Sequence, residues 1–240
     1  MIIDFHSHIL PSIDDGSRNI AESIEMLLFM GRQGVDCLIA TPHFYPDRIS
    51  INDFLKKREK ACYEIGAQGL AGVPTVKCGT EVAFFKGIGK SELLNALCID
   101  RTNLMLLEMP FREWTIQDLE DIQRIMDKGI VPILAHVERY ECFQRNKPAF
   151  REIMRLPLHF QINAGAFASF RMRRSAFRII ASKKAILLGS DCHNMHDRYP
   201  NLSVGRNVLL DKYGLQFLAE MDALGTALLS SNSNFKERDK

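Results

Sequence analysis

Seven near-continuous apolar runs, separated by stretches of helical periodicity, constrain this 240-residue chain more than any other feature. They lie at 1–5, 35–41 (VDCLIAT), 74–81 (PTVKCGTE), 104–108 (LMLLE), 130–135 (IVPILA), 158–163 (LHFQIN) and 185–190 (AILLGS). Strands that are apolar on both faces belong in a parallel sheet covered by helices. Helical patterns fill the gaps at about 18–33, 52–68, 115–128, 148–155, 173–183 and 203–212, with one or two further helices over 214–229. The expected architecture is α/β, and seven such strands favour a closed or nearly closed (β/α) barrel over an open sheet. No linker, repeat or composition shift interrupts the pattern, so one domain is expected over 1–229, followed by a polar, disordered tail at 230–240.

Six of these runs end on a residue able to bind a metal. The first leads into Asp4-Phe5-His6-Ser7-His8 and then Asp14-Asp15-Gly16. Strand side chains alternate, so His6 and His8 project to one side and can share an ion. The later ends carry His43 (in TPH), Glu81, Glu108, His136 with Arg139 (in AHVERY), Asn163, and Asp191 with His193 (in GSDCHN). In a parallel barrel the C-terminal strand ends meet at one mouth, where the active site sits. Imidazole and carboxylate without a thiolate cluster suit Mn²⁺, Zn²⁺ or Fe²⁺. Nine such groups exceed the needs of one ion, which favours two or three ions; a pair about 3.5–4 Å apart activates a water and clamps an in-line displacement. His159, inside its strand, reads as structural, and His196 as exposed or as a supporting group.

Arg139 and Arg198 have no evident structural partner in the sequence, and their guanidinium forks suit a phosphate. Cys192 and Arg198 also match C-x₅-R, the spacing of cysteine-dependent phosphatases. The intervening HNMHD has no glycine and carries acids on either side of the cysteine, which argues against a phosphate-binding nest. Arg171, Arg174 and Arg178 share a helix face near Arg173; a solvated face is favoured over a dock for an acidic or phosphorylated tail. Phe44, Tyr45 and Trp114 fall in predicted mouth loops, able either to stack on an aromatic ring of a ligand or to pack as core.

Composition narrows the class further. Apolar content of 46% and charged content of 25% are ordinary for a soluble domain, and a net charge of +2 lacks the basic bias of a nucleic-acid binder. No run is long enough to span a bilayer, and a basic stretch followed by an apolar signal is missing, so no membrane insertion is expected. Cys37, Cys62, Cys78, Cys98, Cys142 and Cys192 are scattered with no C-x-x-C pair, several of them inside apolar runs where cysteine acts as a small apolar residue, so no pairing is expected and a reducing cytoplasm is.

The blocks DFHSHILPSIDDGS, ATPH, CGTE, LLLE, AHVERY and GSDCHN resemble the polymerase-and-histidinol-phosphatase (PHP) superfamily. Within it they are most similar to the bacterial manganese-dependent tyrosine-protein phosphatases of the CpsB/YwqE type, from capsule and exopolysaccharide clusters, over about residues 1–222. The resemblance implies a distorted seven-stranded TIM-like barrel of the PHP type with a trinuclear centre, Mn²⁺ first and Fe or Zn as alternatives. It implies His6, His8, Asp15, His43, Glu81, Glu108, His136, Asp191 and His193 as metal ligands. Asp15 is preferred to Asp14 because it directly precedes Gly16, and Asp4 is expected to orient a histidine. Arg139 and Arg198 would bind phosphate while a metal-bridging hydroxide attacks phosphorus, and His193 or His43 would protonate the phenolate. The implied substrate is a phosphotyrosine protein, with the tail of a tyrosine autokinase as the expected partner and oligomerisation left open.

Three other readings stand beside this one. Another PHP phosphoesterase, such as a histidinol-phosphate phosphatase, would use the same metal chemistry. An amidohydrolase also begins with His-x-His, but that family usually adds a bridging lysine where this chain has Glu81 and Glu108. An inactive scaffold would lack ligands, and none is missing.

Overall fold

The first apolar run forms β1 (Ile3–Ser7), a strand buried along its whole length, in a computed structural model that describes residues 1–144, 147–182 and 185–230. After it come α1 (Ile20–Arg32), β2 (Cys37–Ala40), β3 (His43–Phe44), α2 (Ile51–Gly66), β4 (Thr75–Cys78) and β5 (Glu81–Ala83). The chain continues through β6 (Leu104–Glu108), α3 (Ile116–Asp127), β7 (Val131–Leu134), α4 (Glu141–Gln144), α5 (Pro148–Ile153) and β8 (His159–Asn163). It ends in α6 (Phe170–Ala181), β9 (Ile186–Gly189) and α7 (Leu202–Ser230). Polar caps start several helices: Asn19 for α1, Ser50 for α2, Ser169 for α6, and a Thr115/Asp118 capping box for α3. Gly214 adopts φ 81° inside α7 and kinks it between the two helical stretches read from the sequence.

Every pairing between named strands is parallel. The fold is therefore α/β with parallel sheets, but among the described residues the expected seven strands appear as nine in two sheets, ordered β1-β2-β4 and β3-β5-β6-β7-β8-β9. Two interruptions account for the difference. Pro42 lacks the N–H needed to continue the ladder, so β2 stops and β3 resumes beyond it. Gly79 and Thr80 separate β4 from β5; a Cβ on Gly79 would stand 3.1 Å from both Ile39 and Ile99. Backbone bonds still cross both breaks, from Gly79 N to Ala40 O (2.8 Å) and from Glu81 N to Pro42 O (3.1 Å). At the other edges β1 meets the end of β9, where Asp191 N donates to His6 O (2.8 Å) and His8 N to Cys192 O (2.9 Å).

A large apolar cluster includes Met26, Leu38, Phe54, Leu107, Ile125 and Phe160. A smaller one gathers Ile3, Phe5, Ile39, Leu106, Ile133 and Leu187 from successive strands. Helix α7 closes against the second: a Cβ on Gly225 would lie 2.9 Å from Phe5, so only glycine admits that approach. Cys62 of α2 and Cys78 of β4 form a disulfide. This corrects the reading of all six cysteines as unpaired, and removes that support for a reducing compartment. The chain returns from α2 directly into β4, which brings two cysteines together that have no motif spacing. Cys37, Cys98, Cys142 and Cys192 are free. Among the described residues no helix is long and apolar enough to cross a membrane. The expected disordered tail lies, beyond Ser230, outside the described residues.

Arg58 holds the β4–β5 corner that delivers Glu81. It is 7% exposed and donates to Gly79 O (3.3 Å), Thr80 Oγ1 (2.8 Å) and Ala96 O (3.1 Å). Burial pulls its pKa below the usual arginine value. Arg58→Ala leaves these buried acceptors unpaired and should lower unfolding stability by ~2–4 kcal/mol in denaturant titration; a loss below ~0.5 kcal/mol would refute this role.

Candidate metal centre

The strand ends deliver their polar side chains to one buried point, and Glu81 is its hub. Glu81 Oε2 lies 3.0 Å from His6 Nε2, 3.2 Å from His8 Nε2 and 3.0 Å from His43 Nδ1. Its Oε1 lies 3.0 Å from His136 Nε2, which is also 3.5 Å from Glu108. Asp191 Oδ1 stands 3.6 Å from His6 Nε2 and 3.5 Å from His8 Nε2. Asp15 reaches in from the loop after β1, 3.7 Å from His43 and 3.5 Å from His193. All nine side chains singled out in the sequence therefore meet here. Three subsets have donor atoms close enough for a shared ion: His8-Asp15-His43-His193, His6-His8-Glu81 and His43-Glu81-Glu108.

The imidazole protons are committed away from this point. His6 Nδ1 bonds Gln161 Oε1 (3.0 Å), and that oxygen also accepts the His136 N–H (2.7 Å). His8 Nδ1 bonds Asp14 Oδ2 (2.7 Å), and His193 Nδ1 bonds the Asp191 carbonyl (3.0 Å). Each of these partners accepts, so each Nδ1 donates and Nε2 turns a lone pair inward. The His6 and His8 Nε2 atoms are only 3.1 Å apart, beside a carboxylate. Lone pairs do not crowd this way unless positive charge lies between them. Glu81 Oε2, His43 Nδ1 and His193 Nε2 are buried without a hydrogen-bond partner, a costly state that a divalent cation relieves. The donor set thus fits metal ions with mixed N/O preference.

Ionisation tells the same story. Burial works against charge on His8, yet Asp14, Asp191 and Glu81 hold its pKa well above the usual imidazole value. Burial and then the Glu81 charge push Glu108 up to about 7. Without an ion, protons are drawn in to offset the crowded carboxylates.

Backbone strain holds two of these residues. His136 (φ 32°) and Asp191 (φ 53°) occupy the left-handed region that β-strand exits rarely use. Gly189 leaves room beneath them, because a Cβ there would stand 2.6 Å from His6 Cβ and 2.7 Å from Gln161 Nε2. Gly16 closes the Asp14-Asp15 turn so tightly that a Cβ would lie 2.2 Å from His8 O.

A 450 Å³ pocket opens above the centre, lined in part by Tyr45, Glu108, Arg139, Asn163 and Arg198. Arg198 Nη2 donates to Asp191 Oδ1 (2.8 Å), giving it a partner the sequence did not reveal. Arg139 lies 4.0 Å from Asp191 and stacks 4.8 Å from the Phe111 ring centroid. Both guanidiniums keep about two-fifths of their surface exposed, 38% and 40%.

Several expectations need correction. Asp4 orients no histidine ring: its Oδ1 accepts from Ser190 N (2.8 Å) and His6 N (3.2 Å), tying the ends of β1 and β9. The orienting groups are instead Asp14, adjacent to the chosen Asp15, and Gln161. Alternation along β8 puts Gln161 in phase with Asn163, and that phase was the available signal. Phe44 and Trp114 are core, 1% and 2% exposed, packed on Phe54 and on Tyr140 with Phe150; Tyr45 alone of the three borders the pocket. Cys192 is fully buried, and burial drives its thiol pKa well above normal, which excludes it as a thiolate nucleophile. His196 is exposed, and His159 lies half-buried within β8.

A profile of the family described as "Capsular polysaccharide synthesis, CpsB/CapC" matches residues 2–225. The tyrosine-protein phosphatase YwqE of Bacillus subtilis is 27% identical, covering 98% of this chain and 94% of its own. The tyrosine-protein phosphatase CpsB of Streptococcus pneumoniae is 25% identical, covering 92% and 94%. A solved structure from work on those two, described as unique metal-dependent tyrosine phosphatases, superposes with a TM-score of 0.82 at 23% identity, over 97% of this chain and 96% of that one. It shows the same fold.

Gln161→Leu removes the acceptor shared by His6 Nδ1 and the His136 N–H. Divalent-ion affinity measured by calorimetric titration should fall about 10–100-fold while the fold is kept; unchanged affinity would rule out the orienting role.

Proposed function

The chain belongs to the CpsB/CapC family of capsular polysaccharide synthesis, and from that premise we propose that it is a metal-dependent phosphatase that hydrolyses phosphotyrosine on a protein. The observation that carries this reading is the pairing of inward-facing lone pairs around Glu81 with two partly exposed arginines over the same pocket. We take His6, His8, Asp15, His43, Glu81, Glu108, His136, Asp191 and His193 as ligands of two or three ions, Mn²⁺ first. We also read the two sheets as one interrupted barrel of seven positions within a single domain over 1–229, because β2/β3 and β4/β5 each continue one strand path. Action in the cytoplasm on a tyrosine autokinase tail completes the proposal, supported by the family's role in capsule synthesis.

When bound, the ions would supply an activated water and neutralise phosphoryl charge. The chain's own residues do the rest. Arg139 and Arg198 border the pocket and are placed to grip phosphoryl oxygens, whose charge they balance as it shifts in the transition state. Asp14, Gln161 and the Asp191 carbonyl keep three imidazoles aimed inward. Asn163 Nδ2 donates to Asp191 Oδ2 (2.8 Å) and fixes that carboxylate. A tyrosyl phenolate has a pKa near 10 and leaves with little protonation, so no strong general acid is required.

The test is hydrolysis of phosphotyrosine and phosphoserine peptides and of histidinol phosphate with Mn²⁺ added. Phosphotyrosine should be preferred, chelation should abolish turnover, and His136→Ala should be inactive. Arg198→Ala and Arg139→Ala should each lower kcat/KM by about 10²-fold. No phosphotyrosine turnover, or full activity in His136→Ala, would overturn the reading. Cys192→Ser should keep most activity; near-complete loss at intact metal content would point to thiolate chemistry instead.

A further inference from the structure

We infer that the cavity beside the metal pocket is a subsite for an acidic side chain next to the phosphotyrosine of the substrate, bound by Arg171; this rests on the phosphotyrosine reading above. The cavity, 430 Å³ in volume, is lined by Phe111, Arg139, Phe143, Arg171 and Met172 among others, and it shares Arg139 with the metal pocket. A peptide with its phosphoryl group at Arg139 therefore passes the cavity mouth within a residue or two, at about 3.3 Å per extended residue.

Charge decides what the cavity accepts. Of its remaining cations, Arg178 is paired with Glu141. Glu138 also lines the cavity but is 3% exposed. Among the described residues Arg171 makes no ion pair, and it is exposed. Its position sharpens the point. Arg171 and Arg173 stand in the first turn of α6, which holds no acidic residue, and Arg174 follows them. A helix N-terminus disfavours cations and welcomes anions. Of these three only Arg171 lines the cavity beside the reaction site, so positive charge is kept there although the helix itself opposes it. Phe111 and Phe143, 42% and 40% exposed, add apolar walls for the stem of the bound side chain. A second cavity, which borders His43 and Tyr45, does not share this character, since its Arg48 and Lys57 share the lining with Asp14 and Asp15.

The experiment compares two phosphotyrosine peptides that differ only in carrying Glu or Gln at the positions flanking phosphotyrosine, using Mn²⁺-loaded full-length protein at low salt. The Glu peptide should show a kcat/KM at least about fivefold higher, expressed mainly in KM and shrinking as salt rises. Arg171→Ala should bring the ratio close to one, and Arg171→Lys should retain most of it. Arg174→Ala, on the same helix but outside the cavity lining, should leave the ratio intact; thermal melting checks that each variant folds. Equal turnover of both peptides by the parent protein, survival of the ratio in Arg171→Ala, or its equal loss in Arg174→Ala would overturn the subsite. Hydrolysis of neither peptide would overturn the phosphatase reading itself and the subsite with it.

Discussion

The backbone pairing of β1 with the end of β9 is the constraint on which the site depends. Two bonds, Asp191 N to His6 O and His8 N to Cys192 O, join the first eight residues to a motif 185 positions later. They place two histidines of β1 beside Asp191 and His193, and they hold Asp191 in its left-handed conformation. Asp4, buried beneath, braces the same junction by accepting from both strands. Burial pushes its carboxyl up to about 6.

Once the strand ends are gathered, orientation becomes the problem. A buried imidazole with both nitrogens free can turn either edge toward a partner. Here Asp14, Gln161 and a main-chain carbonyl each take up one N–H and leave the other nitrogen facing a carboxylate, Glu81 for His6 and His8 and Asp15 for His193. Gln161 is the most economical of these devices, since one amide oxygen serves both His6 and His136 while its nitrogen bonds Asn163 (2.9 Å) and, through it, Asp191. The resulting crowd of acceptors is unfavourable in isolation and becomes favourable around cations. Arg139 and Arg198 line the pocket that opens above these acceptors and bring positive charge to its rim.

Much of this was legible in the sequence because it depends on local period. Apolar runs and helical spacing located the strands and helices, including the break near Gly214 in the last helix. Alternation placed His6 and His8 on one side. Polar residues at successive strand ends converge in any parallel closed or nearly closed sheet, so all nine candidate donors could be named in advance. Asp15 was separable from Asp14 only by its contact with Gly16, and the structure gives the two neighbours different tasks.

Other features were decided by contacts between distant segments. Local spacing cannot show that Cys62 meets Cys78, that Gln161 reaches two histidines, or that Phe44 and Trp114 turn into the core. Nor can it show that Pro42 and the Gly79-Thr80 step split two strands and divide the sheet. The sequence by itself determined which polar residues are candidate donors and which strand or following loop carries each, because side-chain type and period are local properties. Only the tertiary structure decided which nitrogen of each imidazole faces inward and which arginines remain free to meet a substrate, because those depend on hydrogen-bond acceptors and counter-charges supplied by remote parts of the chain.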